Sequence, residues 1–274
     1  MHRAVLVMFV AMSLIPAGDS AGKVLTSGMG IAPVFVAWSR FGIGMLMVLP
    51  FVPRRVWRLF GDWRIWLRAA ALAGGITCIQ TALQTADVAT VFAAFFIGPM
   101  ISYVLAVIFL REAVTLVRSV LIVLGFAGVI LVVRPGMNIE PGMIWAIAAG
   151  SFYGVFLTMS RWLTGVAAPL ELIFSQLAIA ALIVTPLGVM QIPALSSPVA
   201  LLTLVSAFCS MMGNLLLLYA YRVSSATRVA PLVYFQLIAA VGLGWAIFGD
   251  LPDAMTWAGL ALIIGTGLLS TRLR

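Results

Sequence analysis

The chain has 274 residues, of which 64% are hydrophobic and only 9% charged, with a formal net charge of +8. A soluble domain carries nearer ~25% charged residues, so a soluble globular fold is excluded and an all-α membrane protein is expected. The basic excess sits in short loops between apolar runs, a pattern of membrane topology that argues against a nucleic-acid partner.

In hydrocarbon every backbone amide must be bonded within its own helix or a closed barrel, and these runs are too long and continuous for barrel strands. Ten spans are predicted, at 4–22, 33–52, 68–86, 88–110, 116–133, 142–160, 170–190, 200–220, 228–248 and 256–271. Arg3 ahead of the first span, with Ala17 and Ala21 near its end, resembles a signal peptide. Its counterpart, the sixth span, lies mid-chain, so the first is expected to be retained.

Asp19 in the first span and Arg40 in the second lie roughly 6 to 10 Å inside the outer boundary, at a rise of about 1.5 Å per residue. They are placed to pair. Two readings stay open: a substrate-contacting or proton-linked acid held by a base, or a structural ion pair. Lys23, a turn beyond Asp19, is a second partner or reaches the headgroups. On the third span Gln80 and Gln84 share a face, either orienting a ligand or bonding helix to helix. Gly98-Pro99 interrupts the fourth span near its centre, and Pro231 stands in the first turn of the ninth; proline frees a carbonyl and bends a helix.

The remaining polar groups within spans are Tyr103, Tyr153, Gln176, Asn214, Tyr234 and Gln236, with Gln176 standing where the first half has Arg40. Trp38, Phe92, Phe95 and Phe96 suit an aromatic ligand or plain core packing. Cys78 and Cys209 lie in apolar runs without metal spacing, and His2 is the only histidine, so neither a metal site nor a cofactor is expected.

The two halves echo each other. VIFLRE before the fifth span becomes AIFGD before the tenth, so that Glu112 is answered by Asp250, 138 positions on. Ser13 with Ser151 and Lys23 with Arg161 share that offset, while Pro33 with Pro169, Ser39 with Ser175 and Pro50 with Pro186 stand 136 apart. The expectation is two copies, 1–137 and 138–274, of five spans each. An odd number of spans forces the second copy to enter from the opposite face, a 5+5 inverted-topology repeat of the kind many secondary transporters use.

Of the 16 Lys and Arg residues, Arg3, Arg54, Arg55, Arg58, Arg64, Arg68, Arg111, Arg118, Arg161, Arg222, Arg228, Arg272 and Arg274 fall on one side. Lys23 and Arg134 fall on the other, with Arg40 left inside a span. The basic side is cytoplasmic by the positive-inside rule, which places both termini there, in a plasma membrane of bacterial inner-membrane type.

With these residues in place the chain resembles the drug/metabolite transporter superfamily, in its EamA-type group, over nearly its whole length and once per half. The resemblance rests on Gly22-Lys23, Trp38-Ser-Arg40-Phe41, Gly98-Pro99 with Phe-Leu-Arg-Glu112, and Gly125-Phe-Ala-Gly128. In the second half it rests on Ala230-Pro231-Leu-Val-Tyr234-Phe-Gln236 and Gly244-Trp-Ala-Ile-Phe-Gly-Asp250-Leu-Pro-Asp253. Members usually carry glutamate where this chain has Asp250. The resemblance implies a ten-helix importer or exporter of small metabolites whose cavity is lined by the first, third, fourth, sixth, eighth and ninth spans. Gln80, Gln84, Tyr103, Tyr153, Asn214, Tyr234 and Gln236 lie on those helices. Members carry amino acids, vitamins such as riboflavin, nucleoside-like compounds and drugs.

The reading is therefore a secondary carrier working by alternating access and not an enzyme, as monomer or homodimer, with Asp19 the candidate acid for proton coupling. The rivals are an intramembrane lipid-modifying enzyme, which would need a cluster of acids or a nucleophile and base, and a channel, which would not saturate.

Overall fold

The computed structural model describes residues 2–111, 116–133, 141–163, 165–223 and 230–272; Glu112, Arg134, Glu140, Arg228 and Arg274 lie outside them. All regular structure among the described residues is helical: α1 His2–Lys23, α2 Pro33–Val48, α3 Trp63–Leu83, α4 Val88–Phe95, α5 Ile97–Leu110, α6 Leu116–Val133, α7 Pro141–Trp162, α8 Pro169–Gly188, α9 Ser197–Val223, α10 Phe235–Leu243 and α11 Ala254–Arg272. Each falls on an expected span, α4 and α5 together filling the fourth. Among the described residues five stretches are long and apolar enough to cross a membrane: Pro33–Phe51, Val88–Leu110, Pro141–Trp162, Pro169–Gln191 and Ser197–Leu217. The outer surface is apolar, with Leu46, Ile108, Val123, Ile144, Leu182 and Leu201 all exposed, as lipid contact requires.

Local chemistry sets the helix ends. Pro33 and Pro169 open α2 and α8 at the first helical position, where a missing N–H costs nothing. Asp62 caps α3, its carboxylate accepting from the Arg64 amide at 2.9 Å. The Arg64 guanidinium beside it holds the Asp62 carboxyl below the usual carboxylate range. The 3-10 turn Ala230–Tyr234, which contains Pro231, leads into α10. Both α1 and α10 widen at their C-terminal ends into π-helical turns, Val24–Gly28 and Gly244–Phe248.

The fourth span breaks at Phe96 (φ −67, ψ 1), upstream of the Gly98-Pro99 pair that sequence alone marks as the interruption. Pro99 has no N–H to offer the Phe95 carbonyl, and its ring crowds that carbonyl, so the helix yields one turn before the proline. Close by, α7 presses its backbone against the break. A Cβ on Gly150 would come within 2.6 Å of Phe95 O, and one on Gly98 within 2.7 Å of Gly150 O.

Contacts also fix helix directions. As α6 advances from Gly125 to Gly128, its partner in α11 recedes from Thr266 to Ile263, so the two run antiparallel. By the same test α1 opposes α9, since Gly18 meets Ser206 and Ser210 while Gly213 meets Ile15 and Ala11. Arg68 meets Ser160 while Gly142 meets Ala82, so α3 opposes α7. The α5 helix runs with α7, Gly98 meeting Gly150 and Ser102 meeting Thr158.

The pairing of helices is itself repetitive. Replacing each span by its equivalent in the other half leaves α2–α8 and α6–α11 unchanged, turns α1–α9 into α7–α3, and turns the packing of α4 and α5 on α7 into that of α10 on α1. The two ends of the bundle carry different chemistry. One holds Arg55 against Glu171 and Trp63 edge-on to Trp162 at 5.7 Å; the other holds Lys23 against Asp250 at 3.3 Å.

Gly150→Ala places its methyl against a carbonyl oxygen that cannot turn aside, whereas a Cβ on Gly42 meets nothing within 4 Å. The first change should lower the melting temperature of the purified protein by several degrees and the second should leave it level or raise it. Equal melting of the two variants would deny the close contact at the break.

Candidate functional site

Helices α1, α2 and α3 bring Asp19, Arg40 and Gln80 together in the interior, at 2%, 3% and 0% exposure. Asp19 Oδ1 accepts from Arg40 Nη1 at 2.5 Å and from Gln80 Nε2 at 2.9 Å. A lone carboxylate or guanidinium would be prohibitively costly in this setting, and the pair answers one charge with the other. The site depends on a missing side chain as well: a Cβ on Gly22 would lie 2.1 Å from Gln80 Oε1. Opposite, Ser206 Oγ donates to Gly18 O at 2.7 Å, drawing α9 against α1 beside Asp19.

Arg40 also lines a cavity of about 30 Å³ between α2, α3, α8 and α9. Its lining is paired across the repeat. Arg40 and Gln176 face it, as do Phe41 and Leu177, each pair at the same offset as Ser39 and Ser175. Leu72 and Ser210, and Ile76 and Asn214, supply two further pairs at the offset of Ser13 and Ser151. Equivalent positions of the two halves therefore meet at one cavity, but with unequal chemistry: the first half contributes the cation, the second the amides and the hydroxyl. Asn214 Nδ2 donates to Ser210 O at 2.8 Å. Arg40 Nε and Nη2 and Gln176 Oε1 are buried without a protein partner among the described residues.

The other expected site residues lie elsewhere. Gln84 is exposed at the C-terminal end of α3, because the helix stops at Leu83 and the residue a turn beyond Gln80 emerges from the bundle. Tyr103 Oη is 3.3 Å from Ser119 Oγ, joining α5 to α6. The Tyr153 ring packs tilted against Phe95 with centroids 4.7 Å apart, and that of Tyr234 against Phe96 at 5.4 Å. Gln236 is buried on α10. Phe92 is core, and the Trp38 indole donates to Thr185 Oγ1 at 2.9 Å.

Lys23 corrects both sequence expectations, since it neither joins Asp19 nor reaches outward. It is 8% exposed, donates to Ala86 O at 3.1 Å, pairs with Asp250, and sits 4.6 Å from the centroid of the Phe248 ring. Asp19 is already taken by two donors, and Asp250, at the mouth of the second π turn, presents the free carboxylate. Glu171, at the Arg55 end of the bundle, is a second buried acid; it accepts from Arg55 and from the Ala168 amide. Ser210 carried no sequence signal beyond its offset from Leu72. Among the described residues no group of three or more His, Cys, Asp or Glu is placed to hold a metal.

The sequence pattern of the EamA-like transporter family matches twice, over residues 2–134 and 140–272. The S-adenosylmethionine uptake transporter of Rickettsia conorii is 26% identical over 91% of this chain and 87% of its own length. The riboflavin transporter of Brucella anthropi is 25% identical over 97% of each. The pseudopaline exporter of Pseudomonas aeruginosa is 27% identical over 61% of this chain and 60% of its own. A protein solved by crystallography aligns with 100% of this chain and 99% of its own, with a TM-score of 0.64 at 17% identity, a likeness of fold.

The Gly22 contact gives a direct test of the cluster. Gly22→Ala should destabilise the wild-type protein yet cost almost nothing once Gln80→Ala has removed the amide, because the two positions share one space. Equal costs in both backgrounds, read from melting curves, would separate Gly22 from the site.

Proposed function

The chain belongs to the EamA-like transporter family, and from that premise we propose that it is a secondary carrier moving a small metabolite across the plasma membrane by alternating access. The observation that carries the reading is the shared cavity: positions related by the repeat converge on it, with a buried ion pair at its edge. Two copies rocking about such a point would open it to each side in turn.

Helix direction supports an inverted arrangement of copies 1–137 and 138–274 and a count of ten spans. The α1 helix runs with α3, since Asp19 meets Gln80 and Lys23 meets Ala86, whereas α7, the equivalent of α1, opposes α3. The arginine-rich end, with both termini, is then cytoplasmic, and the Lys23–Asp250 end external. The relatives' names cover S-adenosylmethionine uptake, riboflavin and pseudopaline export, so a small organic metabolite is the substrate class, with direction set by the gradient.

Asp19 is the acid we assign to proton coupling. Its carboxylate shares Arg40 with whatever occupies the cavity; taking up a proton would leave the guanidinium as an unbalanced buried cation, which an anionic group entering the cavity would offset.

Purified protein in lipid vesicles should show saturable uptake and counterflow when screened against S-adenosylmethionine, riboflavin, amino acids and nucleosides. Asp19→Asn should keep counterflow while losing acceleration by a pH gradient. Flux without saturation or counterflow would indicate a pore, and an undiminished pH response in the variant would remove Asp19 from coupling.

A further inference from the structure

We propose that the Arg40 cavity is a carboxylate subsite, so that the transported metabolite carries a carboxylate; the inference rests on the carrier reading. Arg40 commits only Nη1 to Asp19. The two nitrogens left over, Nε and Nη2, form one edge of the guanidinium, whose parallel N–H groups match the two oxygens of a carboxylate. Arginine stays charged in proteins, so this edge is a permanent pair of buried donors without a protein acceptor among the described residues.

The surroundings suit a small anion. About 30 Å³ exceeds the ~10–15 Å³ that a single water needs, and the apolar wall of Phe41, Ile173 and Leu177 offers no competing acceptor. Gln176, the repeat equivalent of Arg40, contributes a neutral amide whose Oε1 also lacks a protein partner. An arginine there would have added a second cation, and a glutamate would have repelled the ligand. One fork of donors faced by a neutral amide and by Asn214 is the arrangement that takes a single negative group in one orientation. Asp19 and the ligand then share one guanidinium, Asp19 at Nη1 and the ligand at Nε and Nη2, which gives occupancy a direct route to the contact between α1 and α2.

The test uses formate and acetate against formamide and acetamide, which match them in size but carry no charge, with chloride at equal ionic strength as control. Melting temperature of the purified full chain is the readout. The carboxylates should stabilise it in a saturable way, and the amides and chloride should not. Arg40→Lys keeps the charge but loses the fork, and should weaken acetate binding at least tenfold. Gln176→Glu leaves Arg40 and Asp19 in place and sets a negative charge across the cavity; it should abolish the acetate response even if Arg40→Lys fails to fold. Equal stabilisation by acetamide or chloride, or an unchanged acetate response in Gln176→Glu, would overturn the subsite. Carboxylate binding without counterflow of any compound in vesicles would instead retire the carrier reading, while counterflow indifferent to a substrate's carboxylate would count against the subsite alone.

Discussion

A carboxylate and a guanidinium at 2% and 3% exposure inside an otherwise apolar bundle must find each other, and the Asp19–Arg40 contact is the constraint around which the first half is arranged. It fixes α1 against α2, and through Gln80 it fixes α3 against both. Breaking such a pair by removing one partner costs about 3–5 kcal/mol, yet replacing both by apolar groups of similar volume is often neutral or stabilising. Stability therefore does not explain why the charges are there. On the carrier reading proposed above they would be exchangeable, a buried ion pair beside a cavity being a contact that a proton or an anionic ligand could perturb.

Close backbone approach supplies the rest of the geometry. Gly18 against Ser206, Gly150 against Phe95 and Gly128 against Gly259 let helices meet through their backbones, where lipid offers no hydrophobic drive to hold them together. The helix pairs recur across the two halves, Gly213 against Ala11 and Ile15 being answered by Gly75 against Ala149 and Tyr153, and the cavity falls where equivalent residues line one space. Symmetry of packing is combined with asymmetry of chemistry, Arg40 and Gln176 lining one cavity, and on the proposed reading this would let a cavity built from two copies hold a ligand in a single orientation.

Much of this was legible in the sequence. Apolar runs gave the helices, and the repeat offsets of 136 and 138 are those that relate the residues sharing the cavity, Arg40 with Gln176 and Ile76 with Asn214. Asp19 and Arg40 stood out because ionised groups within a span are rare and costly. What stayed hidden depended on three-dimensional closure. Gln84 shares a helical face with Gln80, but periodicity does not say that the helix stops at Leu83 and lets the residue emerge. Lys23 and Asp250 were both placed at the same end of the bundle, yet their contact requires α1 and α10 to be neighbours, which no local pattern encodes. Tyr153 and Tyr234 sat on the expected helices but pack against Phe95 and Phe96, while Tyr103 meets Ser119. Glu112, the echo of Asp250, lies outside the described residues, so the repeat is read from the helices and not from its most conspicuous pair.

The most direct test of the account is whether the shared cavity is reached from both sides of the membrane in turn. In a chain with Cys78 and Cys209 replaced by alanine, Asn214→Cys would be challenged with a membrane-impermeant thiol reagent from each face of sealed vesicles. The account predicts labelling from both faces, with a transported ligand speeding one and slowing the other. Labelling from a single face under every condition would contradict it.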